Sequence, residues 1–259
     1  MDLVHASTVN RFLLPQLIAR YFLQAQAIVA PSRGVADDLA RVTGLPRQRI
    51  HVIYNPVVSA ALLMQSRLPV DHRWLRGDGV PVIVGMGRLT LQKDFGTLIR
   101  AFARVRKQLK SRLLILGEGE ERGALQDLSH SLGVTDDVEL VGFVANPYAY
   151  LSRAELFVLS SRWEGLPGAL IEALACGAKV VSTDCPSGPR EILNDGAYGQ
   201  LVPMKDDGAL AEAMLAALTG EYVAADSAGW IGLFDAEDNI DHYLNLLVGE
   251  ESVPAAHKN

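Results

Sequence analysis

From residue 80 onwards, short apolar runs alternate with stretches that have the spacing of amphipathic helices. This alternation predicts a parallel α/β sheet, because a helix must carry the chain back before each new parallel strand can start. The predicted strands are 80–87, 113–116, 138–141, 156–159, 179–183 and 199–202. The predicted helices are 95–109, a stretch that reaches 132, one that contains Glu172, 189–193 and 207–218. Residues 58–229 are therefore expected to form one complete α/β domain.

The two flanking segments do not continue this alternation. Within residues 1–57 we predict a helix at 11–23, strands at 27–30 and 51–54, and a helix at 34–43. Two strands are too few for a sheet that buries both faces, so this segment is expected to be the end of a second α/β domain whose earlier strands are absent. Asn55-Pro56-Val57 is predicted to be a hinge. An amphipathic helix at 234–247 falls in the closing segment 230–250, and the tail 251–259 shows no packing pattern.

Composition excludes several classes of function. The 259 residues are 49% hydrophobic with a net charge of −6, which suits a packed core and gives no basic face for nucleic acid. Cys176 and Cys185 lack the spacing of a zinc site or disulfide framework, which favours a reducing compartment. No stretch has the length of a membrane span. The apolar segment 11–23 with its two arginines fits a helix on a membrane surface or, the preferred interpretation, a buried or interdomain helix.

Two glutamates eight residues apart stand where strand 156–159 ends and the next helix begins. Open α/β sheets bind ligands at this edge, and the free N–H groups of a helix start favour anions. Pro167 is predicted at the first helical position. Glu164 is placed to accept hydrogen bonds from sugar hydroxyls, and Glu172 to hold both hydroxyls of a ribose. Alternatively, Glu164 is a helix-dipole partner and Glu172 a surface residue, which explains each singly but not the pair.

A glycine-led loop, Gly87-Arg-Leu-Thr-Leu-Gln-Lys-Asp94, follows the first strand of the complete domain. Arg88 and Lys93 are expected to hold a diphosphate there without a metal, because a guanidinium forks onto two phosphate oxygens and an ammonium adds a compact charge. The alternative is a pair of solvated cations. Segment 117–119 is predicted to be a tight turn rather than a phosphate cradle, and segment 186–191 either lines the pocket or caps a short helix.

These residues resemble the family-4 (group 1) retaining glycosyltransferases, which have the two-domain GT-B architecture. The loop 87–94 is similar to the family's phosphate-binding loop, and Glu164-Gly-Leu-Pro-Gly-Ala-Leu-Ile-Glu172 is similar to its Glu-x7-Glu motif. Further matches in the expected order are Ala30-Pro-Ser32, Ile53-Tyr-Asn-Pro56, Val141-Gly-Phe-Val144 and the closing helix with Tyr243. The resemblance covers about residues 25–247. It implies an α/β protein of GT-B type, with a complete Rossmann-like C-terminal domain and the tail end of a second Rossmann-like domain.

The resemblance also implies the role of each site residue. Domain 58–229 would bind a nucleotide-diphosphate sugar as substrate, with no cofactor and no metal. Arg88, Lys93 and Glu164 would form the catalytic set, in which the cations stabilise the diphosphate and Glu164 contacts the sugar. Glu172 would bind the ribose. The remaining substrate-binding residues would be Gly87, Gly165, Leu166 and Pro167, together with Gly142, Phe143 and Val144 near the base.

The reaction implied is transfer of a hexose or N-acetylhexosamine, with retention of configuration, to a saccharide or lipid-linked acceptor. It would serve bacterial surface polysaccharide or glycolipid assembly in the cytoplasm, with peripheral contact to the inner face of the plasma membrane. The alternative is a catalytically incomplete nucleotide-sugar-binding fragment, or half of a split enzyme completed by a partner chain, because most of the acceptor-side domain is missing. Another GT-B enzyme, such as a nucleotide-sugar epimerase, fits the Glu-x7-Glu context less well. His5 falls where some family members place a catalytic histidine.

Overall fold

A computed structural model describes residues 8–77 and 79–248, without the side chains of 8–13 and 16. The described part contains two parallel sheets, one of six strands in the order β5-β4-β3-β6-β7-β8 and one of two strands. The small sheet pairs β1 (Ile28–Ala30) with β2 (Ile50–Val52). The main sheet is formed by β3 (Val82–Met86), β4 (Arg112–Leu116), β5 (Val138–Gly142), β6 (Leu156–Leu159), β7 (Lys179–Thr183) and β8 (Gln200–Val202). The predicted α/β class with parallel strands is confirmed.

Helices connect these strands and cover both faces of the main sheet. Their bounds are α1 (Thr8–Phe22), α2 (Arg33–Thr43), α3 (Ala60–Ser66), α4 (Phe95–Arg106), α5 (Arg122–Ser131), α6 (Tyr148–Leu151), α7 (Gly168–Ala175), α8 (Pro189–Ile192), α9 (Asp207–Thr219), α10 (Ala228–Ile231) and α11 (Ala236–Val248). Three short helices, α3, α6 and α10, were not predicted. They have seven residues or fewer, which is too short for a helical period to appear in the sequence.

Successive residues of the central strands alternate between two apolar clusters. Ile83 and Val158 pack with α4, α5 and α9 on one face, whereas Val84 and Phe157 pack with α6 and α7 on the other. All four side chains are at most 1% exposed. Because both faces are covered, these strands appear in the sequence as continuous apolar runs rather than as alternating ones.

The order of the strands places a switch point between β3 and β6. From β3 the chain moves outwards through β4 to β5, then returns to pair β6 with β3 and moves the other way through β7 to β8. The loops that follow β3 and β6 therefore leave neighbouring strands in divergent directions. A crevice of this kind is where open α/β sheets bind their ligands.

The N-terminal segment has a small core of its own, which contains Ile28, Ala36 and Ile50. The closing segment reaches back to the connection that follows β2. Val57 N–H donates to Phe234 O at 3.2 Å, and Ala236 N–H donates to Val58 O at 2.8 Å. The turn before α11 is thereby fixed to residues 57–58. The predicted tail 251–259 and His5 lie outside the described residues.

The helix after β6 starts one residue later than predicted. Pro167 precedes it with an extended backbone, φ −69° and ψ 97°, and its carbonyl accepts from Leu170 N–H at 3.1 Å. Pro167 is thus the capping residue of α7, and the prediction that it occupies the first helical position was wrong. A proline is tolerated at the cap because its role there is to accept a hydrogen bond with its carbonyl.

Candidate functional site

The two loops at the switch point meet through an ion pair. Residues 87–94 are called the cation loop and residues 160–167 the glutamate loop. Lys93 Nζ lies 2.6 Å from Glu164 Oε1, and Ser161 Oγ donates to the same oxygen at 2.7 Å. The side chains of Lys93 and Glu164 are only 19% and 7% exposed. The structure therefore brings two of the predicted residues into direct contact at the edge where a ligand is expected.

A second ion pair ties the same loops together. Arg162 Nε donates to Asp94 Oδ2 at 2.8 Å, and Gln92 Nε2 donates to Trp163 O at 2.9 Å. Asp94 is 4% exposed and adopts the left-handed conformation, φ 47°. Its hydrogen bond with Arg162 is the main cause that raises the pKa of the guanidinium. Sequence reasoning missed this pair, because two residues 68 positions apart become neighbours only when β3 pairs with β6.

Gly87 gives Lys93 the space to reach Glu164. A Cβ atom at Gly87 would lie 3.1 Å from Cε and 3.2 Å from Cδ of Lys93, so the lysine side chain runs directly over this glycine. Arg88 is exposed, and no described residue forms a hydrogen bond or ion pair with its guanidinium. The cation loop therefore presents one cation paired inside the site and one that is open to solvent.

The edge continues across β4 to β5 through close backbone contacts. Gly87 N–H donates to Leu116 O at 3.0 Å, and Gly117 N–H donates to Gly142 O at 2.8 Å. A Cβ atom at Gly117 would lie 2.0 Å from Gly87 O, so the segment 117–119 packs too tightly on the cation loop to admit a side chain there. The cation loop and the turn after β5 are thereby held along one edge of the sheet.

Beyond β5 the candidate residues differ in exposure. Gly142 is buried and Val144 half-buried, whereas Phe143 is 83% exposed. An aromatic ring this exposed gains little from packing within the chain and is free to cover a flat ligand group. In the glutamate loop, Leu166 and Pro167 are buried. The structure thus leaves the Phe143 ring exposed to solvent after β5 and buries Leu166 and Pro167 after β6.

Glu172 lies in α7 and faces α6 rather than a cation. Burial raises the pKa of its carboxyl group, and a hydrogen bond with Tyr148 acts in the opposite direction. The pKa of Tyr148 is also raised, by burial and by the charge of Glu172. Burial, together with Glu172, raises the pKa of the Cys176 thiol to about 12, so this thiol stays protonated. Glu172 is therefore a partly desolvated acceptor, not the surface glutamate of the alternative interpretation.

The segment 186–191 opens α8 at Pro189, and its last residue has a partner that sequence reasoning missed. The Glu191 carboxylate accepts from Arg33 N–H at 3.0 Å and from the Tyr54 hydroxyl at 2.7 Å. Burial and Glu191 together raise the pKa of Tyr54, which keeps this hydroxyl protonated as a donor. No signal in the sequence indicated this contact, because it depends on how α2 packs against α8.

A separate cavity of about 290 Å³ lies at the opposite edge of the main sheet, where β7 begins. Lys179, Tyr198, Tyr222 and Asp226 contribute to its wall. Lys179 is already engaged there with Glu155, at 2.8 Å. The switch-point edge differs from this cavity in that charged groups from two loops converge there.

The described residues contain neither a candidate metal site nor a candidate membrane span. No three His, Cys, Asp or Glu side chains of this part are grouped so that they would hold a metal ion. None of its helices combines the length and the apolar character needed to cross a bilayer.

Two family models match this chain. Residues 80–220, more than half of the chain, match the model described as "Glycosyl transferases group 1", and residues 4–60 match "Glycosyltransferase Family 4". The chain belongs to the group 1 glycosyltransferases. The first match contains both loops and α7, so the residues at the switch point lie within the family's own domain.

Curated relatives are longer than this chain. It is 33% identical over 204 residues to the Campylobacter jejuni N-acetylgalactosamine-N,N'-diacetylbacillosaminyl-diphospho-undecaprenol 4-alpha-N-acetylgalactosaminyltransferase, a match over 79% of this chain and 53% of the relative. It is 32% identical over 242 residues to the lipopolysaccharide core biosynthesis glycosyltransferase LpsE of Rhizobium meliloti, over 89% of this chain and 66% of the relative. The chain therefore spans about half to two thirds of their length.

Solved structures share the fold. Anabaena HepE, in complex with UDP and glucose, superposes with a TM-score of 0.79 at 20% identity, over 95% of this chain and 68% of HepE. The lipopolysaccharide outer core galactosyltransferase WaaB, in its apo form, superposes with a TM-score of 0.70 at 24% identity, over 88% of this chain and 63% of WaaB. The fold is that of the GT-B glycosyltransferases, as the resemblance in the sequence predicted.

Proposed function

We propose that residues 58–229 form a nucleotide-sugar-binding domain and that the protein is a retaining glycosyltransferase. It transfers a hexose or N-acetylhexosamine from a nucleotide-diphosphate sugar to a saccharide or lipid-linked acceptor. The observation that carries this proposal is the buried Lys93–Glu164 pair at the switch point, with the open Arg88 guanidinium on the same loop. Residues 1–57 are the acceptor-side part and residues 230–250 the closing segment.

The two cations suit a diphosphate in different ways. Arg88 is solvated and able to fork onto two phosphate oxygens, whereas Lys93 is a compact charge already fixed inside the site. As the bond between the sugar and the phosphate breaks, negative charge builds up on the leaving diphosphate. Pre-positioned cations stabilise that charge without a metal ion. The leaving phosphate then takes the proton of the acceptor hydroxyl as the new glycosidic bond forms.

Glu164 and Glu172 suit the two polar parts of the donor. Lys93 and Ser161 both donate to Oε1 of Glu164. Within the described residues neither of them donates to Oε2, which leaves this oxygen open to a sugar hydroxyl. Glu172 is a partly desolvated acceptor for the hydroxyls of the ribose. Phe143, Gly142 and Val144 would then lie near the base.

The comparisons support the same class of donor and acceptor. HepE was crystallised with UDP, and the Campylobacter relative is named for an acceptor on diphospho-undecaprenol. The Rhizobium relative is named for lipopolysaccharide core synthesis. We therefore place the reaction in bacterial surface polysaccharide or glycolipid assembly. It takes place in the cytoplasm, at the inner face of the plasma membrane, where a lipid-linked acceptor is available.

A second candidate is a nucleotide-sugar-binding fragment, or one half of an enzyme that a partner chain completes. The observation that favours it is the share of the relatives' length, 53% and 66%, that this chain spans. Its donor side would bind in the same way, but the acceptor side would come from elsewhere. The two candidates therefore differ in turnover rather than in donor binding.

The test is to titrate the purified chain with a panel of nucleotide-sugars and to record both binding and donor turnover with lipid-linked acceptors. Arg88→Ala and Glu172→Ala are expected to weaken donor binding, whereas Arg76→Ala, an exposed arginine paired with Asp71, serves as control. Binding with turnover supports the transferase. Binding without turnover supports the fragment, and unchanged binding in both site variants would show that the site is assigned wrongly.

A further inference from the structure

The carboxylate of Glu191 joins two parts of the chain that are 158 residues apart. Its oxygens accept hydrogen bonds from the backbone N–H of Arg33, at 3.1 and 3.0 Å, and from that of Gly34, at 3.4 Å. The Tyr54 hydroxyl donates to Oε1 at 2.7 Å. The Glu191 side chain is only 15% exposed.

The start of α2 requires such a partner. The first N–H groups of a helix have no acceptor inside it and carry partial positive charge. Ser32 Oγ caps Val35 N–H at 3.1 Å, but the first turn of α2 contains no acidic residue. Glu191, in α8, supplies this negative charge from the domain that contains the main sheet.

At this joint α2 also contacts the glutamate loop. Ser32 Oγ donates to Gly165 O at 2.8 Å. A Cβ atom at Gly34 would lie 3.1 Å from Ser187 Oγ, and one at Gly188 would lie 2.4 Å from Pro167 Cδ. The segments 32–34, 165–167 and 187–188 therefore pack here with almost no space between them.

We propose that Glu191 is a positioning residue, which holds the start of α2 against the glutamate loop and so fixes the orientation of Glu164. Gly165 directly follows Glu164, and Glu164 N–H donates to Pro186 O at 3.1 Å in the segment that leads to Glu191. Glu191 itself lies outside the predicted donor site. Through it, the acceptor-side segment 1–57 and the donor-side loop are held in one arrangement. The role that this inference gives to Glu164 rests on the proposed function, whereas the contact between Glu191 and the start of α2 does not.

Residue-resolved amide hydrogen exchange of the whole chain tests the joint without any ligand. In Glu191→Ala we expect exchange at Arg33 and Gly34 to rise about tenfold or more, because a hydrogen bond to a charged acceptor is lost. Exchange at the Glu164 amide should rise as well, to a smaller extent. Glu191→Gln, which keeps one acceptor oxygen, should show an intermediate effect and guards against a failure of the alanine variant to fold. Glu155→Gln, the same change in an ion pair at the opposite edge, is the matched control.

Affinity provides the second measurement. Glu191→Ala should leave the affinity for UDP within about twofold and should remove most of the extra affinity that a sugar adds in a UDP-hexose, because the proposed function assigns Glu164 to the sugar part of the donor. The proposal is overturned if Glu191→Ala raises exchange only at Arg33 and Gly34 and leaves exchange at the Glu164 amide unchanged. Glu191 would then act only as a local cap of α2. The same exchange pattern in Glu155→Gln would overturn it too. If the wild-type chain binds no nucleotide, the proposed function fails, while the exchange data still decide the joint.

Discussion

Arg162 and Asp94 connect the two loops of the candidate site, with 2.8 Å between Nε and Oδ2. Asp94 directly follows Lys93, and Arg162 lies two residues before Glu164. The Arg162–Asp94 pair therefore joins the same two loops that carry Lys93 and Glu164. Since Asp94 is 4% exposed, its charge depends on the guanidinium for compensation.

Arg162→Met is expected to destabilise the protein by about 3 kcal/mol, because it leaves the buried Asp94 carboxylate without its cation. In the double variant that also carries Asp94→Asn, part of this loss should be recovered, because the uncompensated carboxylate is replaced by a neutral amide. Urea unfolding of the two single variants and the double variant measures the coupling. Strictly additive effects would show that the two residues do not stabilise each other.

Arg88→Ala is expected to change the free energy of unfolding by no more than about 0.5 kcal/mol, because Arg88 is exposed and has no partner among the described residues. The affinity for a nucleoside diphosphate should fall roughly tenfold or more, as a charge-assisted hydrogen bond is lost. Calorimetric titration at two salt concentrations measures this. Wild-type affinity should fall more steeply with salt than that of the variant, and equal slopes would exclude a contact between Arg88 and phosphate.

Glu172→Gln tests the raised pKa of Glu172. Below its usual pKa the carboxyl group is protonated in both the folded and unfolded states, so burial carries no charge penalty. Between the usual and the raised pKa only the folded state still holds the proton, so the stability of the wild type declines as pH rises across this interval. The glutamine variant lacks this decline. The melting temperature of the variant minus that of the wild type should therefore increase as pH rises from acidic to neutral.

The same variant should bind a nucleoside diphosphate more weakly at neutral pH, because the charged acceptor for the ribose is gone. Glu155→Gln, in a half-exposed pair at the other edge, should leave this affinity unchanged. A Glu172→Gln variant that loses stability at neutral pH and keeps its affinity would contradict both parts of the prediction.

The main sheet was predictable because its four inner strands, β3, β4, β6 and β7, are largely buried on both faces and appear as separate apolar runs. Arg88, Lys93 and Glu164 were predicted to share one edge because the loops after parallel strands meet there, and the structure brings Lys93 and Glu164 into contact. Their role in binding a ligand, and that of Glu172, stays a prediction. The Asp94–Arg162 and Glu191–Arg33 contacts were not predictable, since they depend on the strand order and on the packing of α2. The start of α7 was misplaced because proline is compatible both with the cap and with the first helical position.

The position of bound UDP in a crystal structure of this chain is the decisive measurement for the proposed donor site. We expect the diphosphate between Arg88 and Lys93, with the ribose hydroxyls at Glu172 and the base beside Phe143. A well-ordered UDP elsewhere, for example in the cavity at the opposite edge next to Tyr222 and Lys179, would contradict it.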